Sequence, residues 1–146
     1  MYKKWLIAPL LILGGQMQSL ALDDELAVVV NSQHHTQLSK QEIAQIFLGK
    51  SHHLANGDEI TPIDHVEGKP IRQNFYRKVV NKEPSEIVSY WTRIIFTGKG
   101  HPPETAYNDD AVLEHVSSNP GSIGYVSADS LTTNRHDNIS VVLMVQ

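Results

Sequence analysis

The sequence predicts an α/β fold in which a central mixed sheet is flanked by helices on its faces. An unbroken apolar run rich in β-branched residues opens the predicted domain, which is typical of a strand buried on both faces. Helical patterns with capping signals then alternate with short apolar runs. The predicted order of elements is β, α, β, α, α, α, β, β, without repeats or an interdomain linker. This order favours one domain of layered helices and strands.

The first three elements are marked by local signals. The first strand is the apolar run Leu26–Val30. Ser39 and Glu42 have the spacing of a capping box, which begins a helix that stops at Gly49. A turn then precedes a second strand near Ile60–Asp64.

The second half of the chain predicts three helices and two strands. Their predicted positions are helices from Pro70 to about Val80, from Pro84 to about Phe96 and after the cap Asn108, and strands at Ser122–Val126 and Ile139–Val145. In the helix from Pro84, the inward positions are Ile87, Trp91, Ile94 and Ile95. The segment His101–Pro103 is interpreted as a rigid extended spacer.

The first 21 residues have the three parts of a secretory signal peptide. Lys3 and Lys4 form the basic start, Trp5–Leu13 forms the apolar segment, and Ser19–Ala21 supplies small residues for a signal peptidase. The alternative interpretation is a membrane anchor, but the apolar segment falls short of the about 20 residues that span a bilayer. We therefore expect cleavage after Ala21, a single mature domain at 22–146, and a periplasmic location.

The charge balance argues against nucleic acid as a partner. Two of the 12 basic residues and none of the 16 acidic residues lie in the leader, so ten basic against sixteen acidic residues leave the mature chain at −6. Nucleic-acid phosphates select basic surfaces. The chain also has no cysteine, which excludes disulfides and thiolate metal sites.

The stretch Ile60–Arg77 predicts an anion site, because a strand leads through a short loop at Gly68 into a helix that begins at Pro70. Unpaired N–H groups and the positive end of the helix dipole favour an anion at such a start. Lys69 and Arg72 add positive charge there. The alternative interpretation is an ordinary helix start with basic surface residues.

We expect the residues that follow the first strand to line the same binding crevice as the loop at Gly68. Asn31 and Ser32 follow that strand directly, and ligands of open α/β sheets lie at the carboxyl ends of strands. The alternative interpretation of the pair is the start of a plain loop.

The eight histidines of the chain do not have the spacing of a metal site. His34–His35 and His52–His53 are adjacent pairs in predicted loops, whereas helical ligands commonly lie four residues apart. We therefore expect neither a metal nor another cofactor. Asp109, Asp110 and Glu114 are interpreted as complements of a helix dipole rather than as catalytic carboxylates. No nucleophile motif indicates an enzyme.

Three segments in order resemble the substrate-binding proteins of phosphate ABC transporters, within the periplasmic binding protein superfamily. The segments are LSKQEIAQIFLGK at Leu38–Lys50, ITPIDHVEGKPIRQNFY at Ile60–Tyr76, and SSNPGSIGYVS at Ser117–Ser127. The segment YWTRIIFTGKG, followed by two prolines, is similar to a short single-lobe group of such exported proteins. The resemblance implies a single lobe of the type II periplasmic binding protein fold.

The family's phosphate loop reads roughly Arg-x-x-Gly-Ser-Gly-Thr, and this chain departs from it at most positions. Gly68 is kept, while His65 stands for the arginine and Lys69 for the serine. Pro70 and Ile71 stand for the second glycine and the threonine, so both hydroxyls and one N–H donor are absent. Lys69 and Arg72 partly compensate for these losses.

The resemblance therefore implies an exported, non-enzymatic protein of a transport or signalling system that binds phosphate or another small oxyanion weakly. The predicted anion-binding residues are Gly68, Lys69, Arg72, His65, Asn31 and Ser32. The alternative is an interaction module without a ligand, which docks to a membrane transporter, a sensor or another envelope complex. The resembling proteins have two lobes and this chain is expected to have one. Apolar surface that faces the second lobe in those proteins is therefore a candidate here for partner binding or for homo-oligomerisation.

Overall fold

The computed structural model describes residues 25–34, 36–133 and 136–146. The predicted signal peptide and His35 lie outside these residues. The strands are β1 Leu26–Asn31, β2 Thr61–His65, β3 Glu104–Ala106, β4 Ser122–Ser127 and β5 Ile139–Val145. The helices are α1 Lys40–Phe47, α2 Pro70–Phe75 with a π-helical continuation Tyr76–Val80, α3 Pro84–Phe96, α4 Asp109–Ser118 and α5 Ser130–Thr133. No helix among the described residues is long and apolar enough to cross a bilayer.

The eight predicted elements are confirmed, and two short ones are added. The capping box forms as expected, since the Ser39 hydroxyl accepts the N–H of Glu42 at 3.1 Å and the Glu42 carboxylate accepts the N–H of Ser39 at 2.7 Å. The additions are β3, which follows the predicted spacer, and the single-turn helix α5. Both are too short to give a periodic pattern.

The five strands form one mixed sheet in the order β3-β2-β4-β1-β5. β2 runs parallel to β3 and to β4, whereas β1 runs antiparallel to both of its neighbours. The carboxyl ends of β2, β3 and β4 therefore meet at one edge of the sheet, and the carboxyl end of β1 lies at the opposite edge. This arrangement decides which predicted site residues lie together.

Apolar side chains fill both faces of the sheet. All six residues of β1 are buried, which confirms a strand covered on both sides. One core cluster joins β1 and β4 to α1, to the helical segment at 70–80 and to α3, and the other packs α4 against the opposite face. In the larger cluster, the rings of Phe75 and Tyr125 stack at 3.9 Å and Phe47 packs against Phe75 at 4.7 Å.

Gly124 in β4 allows α4 to approach the sheet. A Cβ atom there would lie 2.6 Å from a methyl group of Val112 and 2.9 Å from a methyl group of Ile63. We expect Gly124→Ala to lower the free energy of unfolding by about 1–3 kcal/mol, because packed cores accommodate extra volume poorly. Urea titration measures the change. Gly100→Ala is the control, since its Cβ meets only one side-chain methyl group at 3.4 Å, and an equal loss in the two variants would contradict the close-packing argument.

One predicted core position of α3 is wrong. Ile87 and Trp91 are buried and Ile94 packs partly against the core, but Ile95 is 55% exposed. The adjacent Phe96 is 91% exposed. The core covers one side of α3, and Ile95 lies beyond the boundary of that side.

Candidate functional site

An open cavity of about 640 Å³ lies at the edge where β2, β3 and β4 end. His65 lines it from the end of β2, Tyr107 follows β3, and Ser127 ends β4. The starts of α2 and α4 contribute Lys69 and Asp109. Carboxyl ends of parallel strands and starts of helices are where open α/β sheets hold ligands, so this cavity is the candidate site.

The loop at the start of α2 has the predicted form. Gly68 adopts a φ of 90°, a conformation that residues with a Cβ atom rarely take. Lys69 occupies the N-cap position without a side-chain cap, and Pro70 opens the helix. The Lys69 ammonium lies 4.0 Å from the ring centroid of Tyr107, which is 69% exposed. Lys69 is thus held at the cavity by a cation–π contact.

Arg72 is not among the residues that line the cavity. Its Nε–H donates to a carboxylate oxygen of Asp64 at 3.3 Å, and its guanidinium lies 4.8 Å from the ring centroid of Tyr76. Burial has the largest single effect on the pKa of Arg72 and opposes its charged form. Attraction to Asp64, Tyr76 and Tyr125 and the hydrogen bond to Asp64 together outweigh burial, so the pKa is raised above its usual value. Arg72 therefore neutralises a buried carboxylate rather than lining the site.

Asp64 is the centre of a buried polar cluster that the sequence analysis missed. Its carboxylate is almost fully buried. It accepts hydrogen bonds from the backbone N–H of His65 at 2.8 Å, from the Tyr76 hydroxyl at 2.6 Å and from the Tyr125 hydroxyl. Burial raises the pKa of both tyrosines well above the usual value, and the negative charge of Asp64 adds to that shift. The available sequence signal was a carboxylate inside a predicted strand, directly after the apolar Ile63.

His65 is held at the base of the cavity. It is 1% exposed, and its Nε2 lies 2.9 Å from the carbonyl oxygen of Tyr125 and 3.4 Å from a carboxylate oxygen of Asp109. A carbonyl oxygen can only accept, so Nε2 carries a proton. The residue that the resemblance sets in place of an arginine is thus a buried imidazole that donates to the backbone.

Carboxylates contribute much of the cavity's charge. Asp109 accepts the backbone N–H and the hydroxyl of Ser127 at 3.0 and 2.7 Å, and the hydroxyl of Ser130, which ties α4 to the turn after β4. Asp110 and Asp129 also line the cavity and are exposed. Three carboxylates therefore surround a site in which Lys69 is the sole lysine or arginine among the described lining residues.

Asn31 and Ser32 do not lie at this edge, so the predicted shared crevice is wrong. The Asn31 amide donates to the carbonyl oxygens of Val116 and Ser117 at 3.0 and 3.1 Å, near the end of α4. The Ser32 N–H donates to the Asn138 carbonyl oxygen at 2.8 Å. The physical reason is the antiparallel direction of β1, which carries its carboxyl end to the opposite edge of the sheet.

The histidines of the described residues do not gather into a metal site. Within 25–34, 36–133 and 136–146, no three histidine, aspartate or glutamate side chains come together as a metal ion requires. His34 lies 3.3 Å from Asp58, and His136 lies 3.7 Å from Asp110. These are isolated pairs.

Comparison with known proteins identifies the fold. No family model matches the chain, and neither does any curated protein sequence. Among solved structures, one described as a phosphate ABC transporter substrate-binding protein with bound phosphate, from Clostridium perfringens, matches 80% of this chain and 43% of its own at 17% identity, with a TM-score of 0.61. PstS from Borrelia burgdorferi matches 80% and 46% at 14% identity and a TM-score of 0.62. An ABC-type phosphate transport receptor from Vibrio cholerae matches 80% and 44% at 14% identity and a TM-score of 0.54.

The chain spans less than half the length of these structures. Its five-stranded mixed sheet with helices on both faces corresponds to part of each of them. The resemblance inferred from the sequence segments is therefore confirmed at the level of the fold, and the protein has the fold of a periplasmic binding protein-like domain similar to phosphate ABC transporter substrate-binding proteins.

Proposed function

We propose that the protein is an exported, non-enzymatic binding lobe of a transport or signalling system, and that its cavity takes phosphate or another small oxyanion weakly. The observation that carries the proposal is the cavity of about 640 Å³ beside Lys69, at the carboxyl edge of three parallel strands. Support comes from the fold neighbours, which are phosphate-transport proteins and include one with bound phosphate. The predicted signal peptide supports a periplasmic location for the lobe.

The side chains favour weak rather than tight capture of an anion. Pro70 lacks the N–H that a helix start would offer, and Arg72 is already paired with Asp64. The carboxylates of Asp110 and Asp129 repel an anion from the cavity. We expect a dissociation constant of about 1 mM, which corresponds to only about 4 kcal/mol of binding free energy.

Calorimetric titration with phosphate and sulfate at low salt tests this site. We expect Lys69→Ala to abolish the heat of binding, and Asp110→Asn or Asp129→Asn to tighten binding about fivefold, because each removes a repulsive charge worth about 1 kcal/mol. Lys40→Ala is the matched control, since this exposed lysine begins α1 and does not line the cavity. An absence of heat in both the wild type and Asp110→Asn contradicts oxyanion binding.

A second candidate function is an interaction module without a small ligand. Two observations favour it: Arg72 is neutralised by Asp64, and the cavity is rimmed by carboxylates. The partner would be a membrane transporter, a sensor protein or a second copy of the chain. Solution mass measured against concentration and a periplasmic pull-down test this function, and a strictly monomeric protein that has no partner but binds anions contradicts it.

A further inference from the structure

A surface built on α3 and its neighbours has features that the cavity does not explain. We call it the α3 surface. Its apolar part is Val88, Ile95 and Phe96, and its basic part is Lys50, Lys82 and Arg93. None of the six lines the cavity at the ends of β2, β3 and β4.

The apolar part occupies an arc of α3 that bears no charge. Successive residues of a helix are about 100° apart, so Ile95, Val88 and Phe96 fall within an arc of about 100° on the outer side of α3. Thr92 lies between them, and the arc ends at Ser89. The side chains of Phe96, Ile95 and Val88 are 91%, 55% and 46% exposed. Exposed apolar residues grouped on one side of a helix mark an interaction site more often than scattered ones do.

The basic part forms a shallow depression of about 500 Å³ beside that arc. Arg93 connects the two parts, since it lines the depression and lies one helical turn before Phe96. Within the described part of the chain, none of the three cations lies within ion-pair distance of a carboxylate.

The acidic residue of the depression is already engaged by the backbone. The carboxylate of Glu86 accepts the N–H of Glu83 at 2.8 Å, which caps the start of α3. The hydroxyls of Ser85 and Ser89 and the ring of Tyr90 complete the lining. The depression therefore has three cations against one carboxylate, together with two serine hydroxyl groups, and its net charge is positive.

We propose that the α3 surface docks against an anionic phospholipid bilayer, with lipid phosphates in the basic depression and Phe96 in the membrane interface. Three cations gathered in a chain of formal charge −4 indicate a local anionic partner rather than general attraction. Apolar side chains next to lysine and arginine are the combination that binds membrane interfaces. A bilayer also accepts an apolar ridge without a complementary groove, and the projecting Phe96 forms such a ridge. The proposal does not rest on the function proposed for the cavity.

Co-sedimentation with vesicles tests the proposal. We expect the full chain to bind vesicles of phosphatidylcholine with phosphatidylglycerol, to bind phosphatidylcholine alone far less, and to dissociate as salt is added. Lys82→Gln and Arg93→Gln are each expected to weaken binding about fivefold, the effect of one cation near an anionic membrane. Phe96→Ser is expected to weaken it about tenfold and to leave the fold intact, because the side chain is exposed.

Two matched variants serve as controls. Lys40→Gln removes an exposed cation on α1, and Met144→Ser removes an apolar side chain on β5 that is 45% exposed. Both lie outside the α3 surface, and all variants share the segment 1–24, so any contribution from that segment cancels. Equal losses in the controls and in the α3 variants overturn the proposal, as does a wild-type protein that ignores phosphatidylglycerol.

Two further arms separate the lipid from other sources of the same chemistry. Calorimetry with inorganic phosphate and with soluble glycerol phosphate is expected to give the same heat of binding for the wild type and for Lys82→Gln. A heat of binding that is present in the wild type and lost in Lys82→Gln would make the depression a small-anion site, and it would overturn membrane docking. Native membranes stripped of protein by protease are expected to retain binding. Binding that is lost on stripping, with none to phosphatidylglycerol vesicles, assigns the surface to a protein partner and overturns the proposal.

Discussion

Replacing Asp64 with alanine is expected to lower the free energy of unfolding by about 3–5 kcal/mol. The carboxylate is 2% exposed. It accepts from four donors, namely the His65 N–H, the Arg72 Nε–H and the hydroxyls of Tyr76 and Tyr125. Its removal leaves a largely buried guanidinium without its counter-charge and two phenols without an acceptor. The loss is a large part of the about 5–15 kcal/mol that stabilises a small domain.

Urea denaturation followed by circular dichroism measures the effect of Asp64→Ala. Glu114→Ala is the control, because this glutamate is exposed on α4, and we expect a change within about 0.5 kcal/mol. The double variant Asp64→Ala, Arg72→Ala should lose less stability than the sum of the single variants, since it removes both members of the pair. A loss below about 1 kcal/mol for Asp64→Ala would show that the cluster contributes little to stability.

Local signals predicted most of the secondary structure. The start of α3 follows from Pro84, which suits a first helical turn, and its end follows from Gly98, which has a φ of 69° and stops the helix. β1 follows from its continuous apolar run. β3 was missed because only three residues form it, and their strand conformation depends on pairing with β2. A pairing between distant segments leaves no periodic trace in either of them.

The site was predicted less completely, because its geometry depends on contacts across the fold. The loop at Gly68 and Lys69 was found from a strand, a glycine and a helix start in sequence order. The pairing of Arg72 with Asp64 could not be read in that way, since it depends on how α2 turns back over β2. The place of Asn31 depends on the direction of β1, and a run of apolar residues has no direction.

The buried tyrosines make a second large effect predictable, which is a loss of stability at alkaline pH. Burial raises the pKa of Tyr76 and Tyr125 well above the usual value of 10.0. In the unfolded chain both phenols lose their protons near pH 10, whereas in the folded protein they keep them. The folded state then binds more protons than the unfolded state, so the free energy of unfolding falls as pH rises above about 10. Below pH 10 both states are protonated and the full stability is present.

Each of the two tyrosines is expected to lower the free energy of unfolding by about 1.4 kcal/mol per pH unit above pH 10, until the folded protein also ionises or unfolds. Urea titrations at a series of alkaline pH values measure the slope, and the absorbance of tyrosinate shows whether ionisation of the buried phenols coincides with unfolding.

The variant Tyr76→Phe, Tyr125→Phe is the matched comparison, because phenylalanine keeps the ring but cannot ionise. It should be less stable than the wild type at neutral pH, since Asp64 loses two hydrogen bonds, yet its stability should fall less steeply above pH 10. Equal alkaline slopes in the two proteins would show that other groups control alkaline unfolding.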